Sequence, residues 1–386
     1  MPCGRSKKSV ENENCMKKSI LQKMGHQLNA VVFPLIAIFA ALMVGSLVIL
    51  LSSNSSPLAA YKALFTGAFG SPRAWEDSIL KAIPFVFTAL SYAIANRCGI
   101  INLGAEGQFE MGALAATIAA VSFPPLPAIL HLPLTLIAGF LGGALFGLIP
   151  AILRVQFGAS ELITTIMLNY IASQLISYSV NGPIMDSASS SYPQSAHMPD
   201  SASLSAIFPG SRIHWGLIIL LACVIFYYVF LWKTTRGYEL RVVGLNSTAG
   251  EYAGMNIRRS ILRSMFLAGG FAGLGGCIEI IAVQYRLMMT SFKVTYGFTG
   301  IAVALLGNNH PLGMLLSGLL FGGLQTGSLR MQTVTDASSS VVLVVQAVII
   351  LFIAGRLMFR IQHGRHLRHK TLNIPPKAME ERGAER

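Results

Sequence analysis

The stretch AVVFPLIAIFAALMVGSLVILL occupies residues 30–51 and contains no charged side chain. A helix needs about 20 apolar residues to cross the hydrocarbon core of a bilayer, and this stretch reaches that length. It is also longer than the apolar core of a secretory signal peptide, which spans about 7–15 residues. We therefore predict a retained first membrane-spanning helix over residues 30–51.

Further apolar runs follow along the whole chain and are separated by polar connections. Because these runs are continuous rather than alternating, they favour helices over the strands of a membrane barrel. Hydrophobic residues make up 53% of the chain and charged residues 12%, against about 25% charged in a soluble globular protein. The sequence thus predicts an all-α integral membrane protein, a bundle of about ten transmembrane or re-entrant helices. The later runs cover residues 78–96, 99–121, 131–153, 160–180, 213–232, 264–283, 296–307, 312–329 and 338–355.

The net charge of +13 comes from basic residues that lie in the gaps between apolar runs. In a membrane protein such charges mark cytoplasmic segments, so they indicate topology rather than a nucleic-acid partner. Ten crossings place both termini in the cytoplasm. The run at 296–307 is short for a full span, so it is either a full span or a re-entrant half-helix. The predicted regions are a basic N-terminal tail (1–29), a transmembrane domain (30–355) with an external loop (181–212) and a basic cytoplasmic loop (233–263), and a basic C-terminal tail (356–386).

The motifs of the common enzyme classes are missing from the sequence. It has no HExxH, no GxSxG and no GxxxxGK[ST] phosphate-binding loop. The scattered cysteines form no CxxC pair, so neither a metal site nor a disulfide framework is expected. We predict no catalytic residue, no metal and no cofactor, and any ATP that drives this protein must bind to another subunit. The cysteines are Cys3, Cys15, Cys98, Cys223 and Cys277.

Residues 96–112, NRCGIINLGAEGQFEMG, place polar groups inside an apolar run. Glu106 and Glu110 are four residues apart and share one face of a helix. A carboxylate inside the membrane costs about 2.5–3.5 kcal/mol and usually faces the bundle interior or a water-filled path. One interpretation is that this segment lines a polar path; the other is that both carboxylates brace the fold by bonding to Arg97, Asn102 or the backbone. The candidates for the path are Asn102, Glu106, Gln108, Glu110 and Asn169.

Two other patterns indicate helix–helix contacts. Asn169 lies inside the run at 160–180, where it can bond a neighbouring helix or touch a solute. Glycines also repeat at a spacing of four residues, which lets helices approach closely in lipid. These glycines are Gly139, Gly143 and Gly147, then Gly269 and Gly273, then Gly318 and Gly322.

The basic loop contains the segment NSTAGEYAG over residues 246–254. Thr248 and Glu251 have the spacing of a capping box, while Asn246 is an alternative N-cap of the same short helix. Gly254 is a natural stop, because glycine accepts the left-handed conformation at a helix end. Such a helix could transmit a push between two spans, or it could be an ordinary interfacial helix.

Taken together, several blocks resemble the permease subunits of bacterial ABC importers in the branched-chain amino acid and simple sugar class. Within that class the chain looks most like the nucleoside-type permeases. The similarity spans roughly residues 31–355. The blocks are GIINLGAEGQ (99–108), ELITTIMLNY (161–170), GFTGIAVALLGNNHPLG (297–313) and GGLQTG (322–327).

The resemblance implies a transport subunit of the bacterial inner membrane that is not itself an enzyme. It implies a coupling helix in a groove of an ABC ATPase subunit, a second permease subunit of a different chain, and an external substrate-binding lipoprotein. Family members often have alanine where this chain has Gly250, a change that loosens the helix by about 1 kcal/mol. The implied coupling residues are Ala249, Gly250, Glu251, Tyr252, Ala253 and Gly254.

The cargo that this resemblance implies is a small polar solute of the nucleoside type, with simple sugars and flavin-type molecules as alternatives. A different class, an ion-coupled secondary transporter, would use Glu106 and Glu110 as ion ligands. A membrane scaffold without transport is the third reading. These alternatives make different demands on ATP, on a proton gradient and on partner subunits.

Overall fold

A computed structural model of the protein describes residues 36, 38–51, 56–123, 126–186, 192–288, 291, 295–335, 338 and 340–352. The predicted tails 1–29 and 356–386 lie outside these residues, as does the beginning of the run at 30–51. The chain divides into two compact units. One is Ser55–Ser339, and the other combines Met1–Asn54 with Ser340–Arg386.

The described elements are helices. The prediction of an all-α protein is confirmed over these residues, where strand pairing is limited to isolated bridges in the connections. In chain order the helices are α1 (Ile38–Leu51), α2 (Pro57–Phe69), α3 (Pro72–Arg97), α4 (Ala105–Ser122), α5 (Ala128–Phe157), α6 (Glu161–Asn181), α7 (Gly216–Lys233), α8 (Thr235–Leu245), α9 (Ser247–Tyr252), α10 (Ile257–Glu279), α11 (Tyr296–Leu306), α12 (Pro311–Val334) and α13 (Ser340–Phe352). A π-helical turn over Ile280–Gln284 continues α10.

Among the described residues, five helices are long and apolar enough to cross a membrane: α3, α5, α7, α10 with its π-helical turn, and α12. Three shorter helices, α1, α11 and α13, are also apolar. The helices α4 and α6 have 18 and 21 residues but are not among these five. A multi-pass helical membrane protein is therefore confirmed, while the count of about ten crossings and the side of each terminus stay predictions.

Glycines bring the central helices into backbone contact. A Cβ atom at Gly143 of α5 would lie 2.3 Å from the carbonyl oxygen of Gly269 in α10. A Cβ at Gly112 of α4 would lie 2.1 Å from the Cα of Gly273 in α10. The predicted role of these glycine repeats is confirmed, since no larger residue fits between the helices.

The helix α2 was missing from the sequence prediction, which treated residues 52–77 as a polar connection. Ser56 is its N-cap and accepts a hydrogen bond from the N–H of Ala59 at 3.2 Å. Pro57 occupies the first helical position, where its fixed φ angle and missing N–H favour a helix start. The prediction missed this helix because it did not recognise Ser56 and Pro57 as a helix start.

The helix α11 is eleven residues long, which corresponds to about 16 Å, or half of the hydrocarbon thickness. It pairs with α12 through a tight turn in which Asn308 and Asn309 have positive φ angles of 54° and 52°. The guanidinium of Arg97 donates to the carbonyl oxygen of Asn309 at 3.2 Å. The C-terminal end of α11 therefore lies beside the C-terminal end of α3.

Candidate functional site

Two helices begin inside the bundle rather than at its edge. Tyr296, the first residue of α11, accepts a hydrogen bond through its carbonyl oxygen from the Thr88 hydroxyl of α3 at 2.9 Å. Thr88 lies about 13 Å along the helix axis from Arg97, at the rise of an α-helix. The start of α4 is at a similar depth, because a Cβ at Gly297 would lie 2.3 Å from the backbone nitrogen of Glu106.

The Glu106 carboxylate caps the N-terminus of α11. Its Oε2 accepts a hydrogen bond from the N–H of Gly297, and it also interacts with the N–H groups of Tyr296 and Phe298. Glu106 is itself in the first turn of α4. One carboxylate thus offsets the positive ends of two helix dipoles, which is a stabilising arrangement. The sequence left open whether Glu106 lines a polar path or braces the fold through Arg97, Asn102 or the backbone. This contact matches a brace that bonds to the backbone.

Asn102 and Gln108 bond to each other and to Ser91 of α3. The Asn102 Nδ2 donates to Gln108 Oε1 at 2.9 Å, and the Asn102 Oδ1 accepts from the N–H of Gly104 at 3.0 Å. Both amides are buried. These bonds hold the irregular segment between α3 and α4 in place, and contact of either amide with a solute stays a prediction.

Asn169 of α6 bonds to the start of α4. Its Oδ1 accepts from the N–H of Gly107 at 2.9 Å, and its Nδ2 donates to the carbonyl oxygen of Leu103 at 2.9 Å. The side chain therefore pairs with one backbone N–H and one backbone carbonyl that have no partner within a helix. This geometry matches the interpretation of Asn169 as a bond between helices.

Glu110 differs from the other four candidates. It is 8% exposed, and within the described part of the chain its Oε2 has no hydrogen-bond partner. The carboxylate of Glu106 lies one helical turn away and repels it. Glu110 is thus the candidate with hydrogen-bonding capacity left for a solute or an ion.

Glu279 belongs to the same polar region and was missed in the sequence. It lies at the end of α10, is 5% exposed, and accepts a hydrogen bond from the Tyr296 hydroxyl at 3.2 Å. Tyr296 also packs against Phe85 and Phe109, with ring centroids 5.5 and 5.1 Å away. An acidic residue inside the apolar run at 264–283 was the available signal, the same one that marked Glu106.

The predicted coupling segment forms the short helix α9. Asn246 is its N-cap and accepts from the N–H of Ala249 at 3.1 Å. Thr248 lies inside the helix, so of the two proposed caps Asn246 is correct and the capping box is wrong. Gly254 follows the helix with a φ angle of +77°, which confirms the predicted stop.

The loop formed by α8 and α9 presents apolar side chains on one side and is anchored on the other. Tyr252 and Leu245 are 90% and 88% exposed, the highest values for large hydrophobic residues in the described part of the chain. A Cβ at Gly244 of α8 would lie 2.1 Å from the carbonyl oxygen of Arg97. The loop therefore touches the end of α3 directly, at the entry to the segment that carries Glu106.

These features define a membrane-embedded transport subunit with a projecting loop of two short helices. The chain belongs to the family described as the branched-chain amino acid transport system / permease component, which matches residues 75–354. It is a transport component rather than an enzyme, a multi-pass protein of the bacterial inner membrane that works with an ATPase and a substrate-binding protein.

Relatives in the family carry names that specify their cargo. The chain is 38% identical to a guanosine ABC transporter permease of Bacillus subtilis, over 91% of this chain and 100% of the relative. It is 37% identical to a nucleoside ABC transporter permease of Lactococcus lactis, over 88% and 94%. It is 36% identical to a glucose ABC transporter permease of Haloferax volcanii, over 85% and 88%.

Proposed function

We propose that this permease moves a nucleoside into the cell in an importer driven by ATP hydrolysis on a separate subunit. The observation that carries this proposal is the loop of α8 and α9. This loop exposes Leu245 and Tyr252, and its Gly244 packs against the end of α3. The nucleoside cargo is supported by the guanosine and nucleoside relatives, whose similarity covers about nine-tenths of the chain.

In this mechanism the residues Ala249–Gly254 sit in a groove of the ATPase. Closure of the ATPase dimer pushes α9, and α8 passes the displacement through Gly244 to the turn at Arg97. From there the irregular segment leads to Glu106 and so to the start of α11. Broken helices at mid-depth are the elements that rearrange in many alternating-access transporters.

The importer includes further partners. The proposed assembly contains a second permease subunit of a different chain, two ABC ATPase subunits, and an external lipoprotein that delivers the solute. Simple sugars stay an alternative cargo, since the glucose permease is nearly as similar as the nucleoside permeases. A flavin-type cargo stays a more distant one.

An ion-coupled secondary transporter is the second candidate function. The observation that favours it is Glu110, whose free carboxylate oxygen could bind a proton or a cation. Glu106 argues in the other direction, because its carboxylate is engaged with α11. In this reading a protonophore abolishes uptake and ATP depletion leaves it intact; an ATP-driven importer shows the opposite pattern.

Co-purification tests the proposed function. Detergent-solubilised wild-type protein should recover an ABC ATPase and a second permease, and the variants Tyr252→Ser and Glu251→Arg should lose the ATPase while keeping the permease. The matched control is Tyr238→Ser, which removes an exposed tyrosine from α8 of the same loop. Recovery of this chain alone, together with normal uptake in reconstituted vesicles, would contradict the importer.

A further inference from the structure

A polar cavity of about 600 Å³ lies within the Ser55–Ser339 unit, between α3, α10, α12 and the connection before α7. A cavity of about 770 Å³ between α5, α7 and α10 is in contrast lined mainly by leucine and phenylalanine side chains. The polar one has a volume typical of small-molecule sites. Its lining includes Lys81, His214, Glu279, Tyr285, Gln325 and Thr326.

The cavity is at the end of the helices farthest from α9. The helix α10 starts at Ile257, directly after the loop of α8 and α9, and reaches the cavity at Glu279. The helix α3 ends at Arg97 beside that loop and reaches the cavity near its other end, at Lys81. If the loop faces the cytoplasm, the cavity therefore opens on the side from which a binding protein delivers solute.

The charges that line the cavity balance. Asp77 and Arg212 pair at its rim, with Oδ1 and Nη1 2.9 Å apart. Lys81 and Glu279 supply one more charge of each sign, and neither forms an ion pair with any described residue. Burial lowers the pKa of His214 to about 4, so its ring is neutral near pH 7. A lining without net charge favours a neutral solute over an anionic one such as a nucleotide.

Two neighbouring polar residues of α12, Gln325 and Thr326, lie in the wall of the cavity. The Thr326 hydroxyl oxygen is buried and has no partner among the described residues, although a buried hydroxyl normally has one. Gln325, next to it, adds an amide that can donate and accept. Tyr285 ends the π-helical turn with a φ angle of 56°, a left-handed conformation that is unusual for tyrosine. Such irregular backbone is frequent at binding sites.

We propose that this cavity is an entry chamber that receives one neutral nucleoside within a single permease subunit, with the Thr326 hydroxyl and the Gln325 amide as ligands of the solute. The proposal rests on the proposed nucleoside importer and extends it, since it assigns the first contact of the solute to α12 and to the end of α10. Glu279 connects the chamber to α11 through the Tyr296 hydroxyl.

The variant Thr326→Val tests the proposal with little effect on folding. Valine has nearly the same shape, and the hydroxyl that it replaces forms no bond within the described protein. In the complete importer the KM for guanosine uptake should rise about three- to tenfold, which corresponds to the loss of one neutral hydrogen bond. Membrane abundance should stay unchanged. The control Thr333→Val changes an exposed threonine of the same helix and should leave KM at the wild-type value.

Thiol labelling gives a second and independent measurement. In the intact importer, guanosine should slow the reaction of the Gln325→Cys variant with a membrane-impermeant maleimide at least threefold. The same nucleoside should not affect a Thr333→Cys variant, and wild-type protein gives the background of the native cysteines. Guanosine monophosphate should give no protection, because the balanced lining does not compensate its charge.

The outcomes separate the two proposals. If the wild-type importer shows no ATP-driven uptake of guanosine or of any other nucleoside, the proposed function is wrong. If wild-type uptake is normal, but Thr326→Val keeps its KM within twofold and guanosine leaves the labelling unchanged, the chamber alone is wrong. Protection by the nucleotide rather than the nucleoside would overturn the choice of a neutral solute.

Discussion

Replacement of Glu106 by glutamine separates the capping role from a role in solute contact. The Glu106 carboxylate accepts the N–H of Gly297 at the start of α11, in a buried position. Glutamine keeps the shape and one acceptor oxygen but removes the negative charge. A hydrogen bond to a charged group contributes about 1.5–3 kcal/mol and a neutral one about 0.5–1.5 kcal/mol, so we expect Glu106→Gln to destabilise the protein by about 1–2 kcal/mol.

Glu110→Gln is the matched comparison. Its Oε2 has no partner within the described residues, and its charge lies next to that of Glu106. Removal of this charge relieves a repulsion and breaks no hydrogen bond to that oxygen. We therefore expect Glu110→Gln to be neutral or stabilising, although the two glutamates are one helical turn apart on the same helix.

The assay is the fraction of detergent-solubilised protein that stays monodisperse after heating, with both variants treated at the same rate because such unfolding is commonly irreversible. For a chain of 386 residues the Glu106→Gln loss corresponds to a melting midpoint lower by on the order of 1–2.5 °C. Equal shifts for the two variants would refute the capping argument. A wild-type midpoint for Glu106→Gln combined with lost uptake would show instead that the carboxylate acts on the solute.

Further predictions concern packing, helix bonding and pH. Gly143→Ala should lower membrane abundance on an immunoblot, because its Cβ would lie 2.3 Å from a backbone oxygen of α10. Gly250→Ala should be tolerated in the same assay, because its Cβ would meet only the flexible end of the Val243 side chain, at 3.3 Å. Asn169→Ala should lower the melting midpoint by an amount equivalent to about 2 kcal/mol, while Asn181→Ala at an exposed bond should have little effect in the same heating assay. Because the pKa of His214 is lowered in the folded protein, its neutral ring contributes stability that is complete above pH 6.5 and is lost as the pH falls towards 4. The melting midpoint of His214→Asn should therefore fall less between these pH values than that of wild type.

The apolar runs predicted most helices because lipid imposes length and continuity on every spanning segment. The run at 296–307 was correctly predicted to be a short segment, and the helix α11 covers nearly the same residues. The glycine spacings likewise indicated close helix contacts, since the pattern of small residues is local, but they did not indicate that α5 pairs with α10. Caps were harder to predict: Asn246 and Thr248 are two residues apart, and only the backbone geometry distinguishes them.

The polar region was predicted in part. The sequence marked Glu106, Asn102 and Asn169 as unusual in their apolar surroundings, and each does make polar contacts inside the protein. It could not indicate that Glu106 caps a helix that begins 190 residues later, because such a pairing depends on tertiary structure. Glu279 is also an acidic residue inside an apolar run, so the same reasoning could have predicted it.

The shared cap at Glu106 also has a consequence for biosynthesis. Glu106 and Gly297 are 191 positions apart, so a ribosome that adds about 5–20 residues per second needs on the order of 10–40 s to make the second after the first. During that interval α4 must enter the bilayer with an uncompensated carboxylate, which is costly in lipid. A nascent chain released before Tyr296 keeps that defect permanently. Membrane proteases that recognise exposed polar groups should therefore remove such fragments and spare the completed protein.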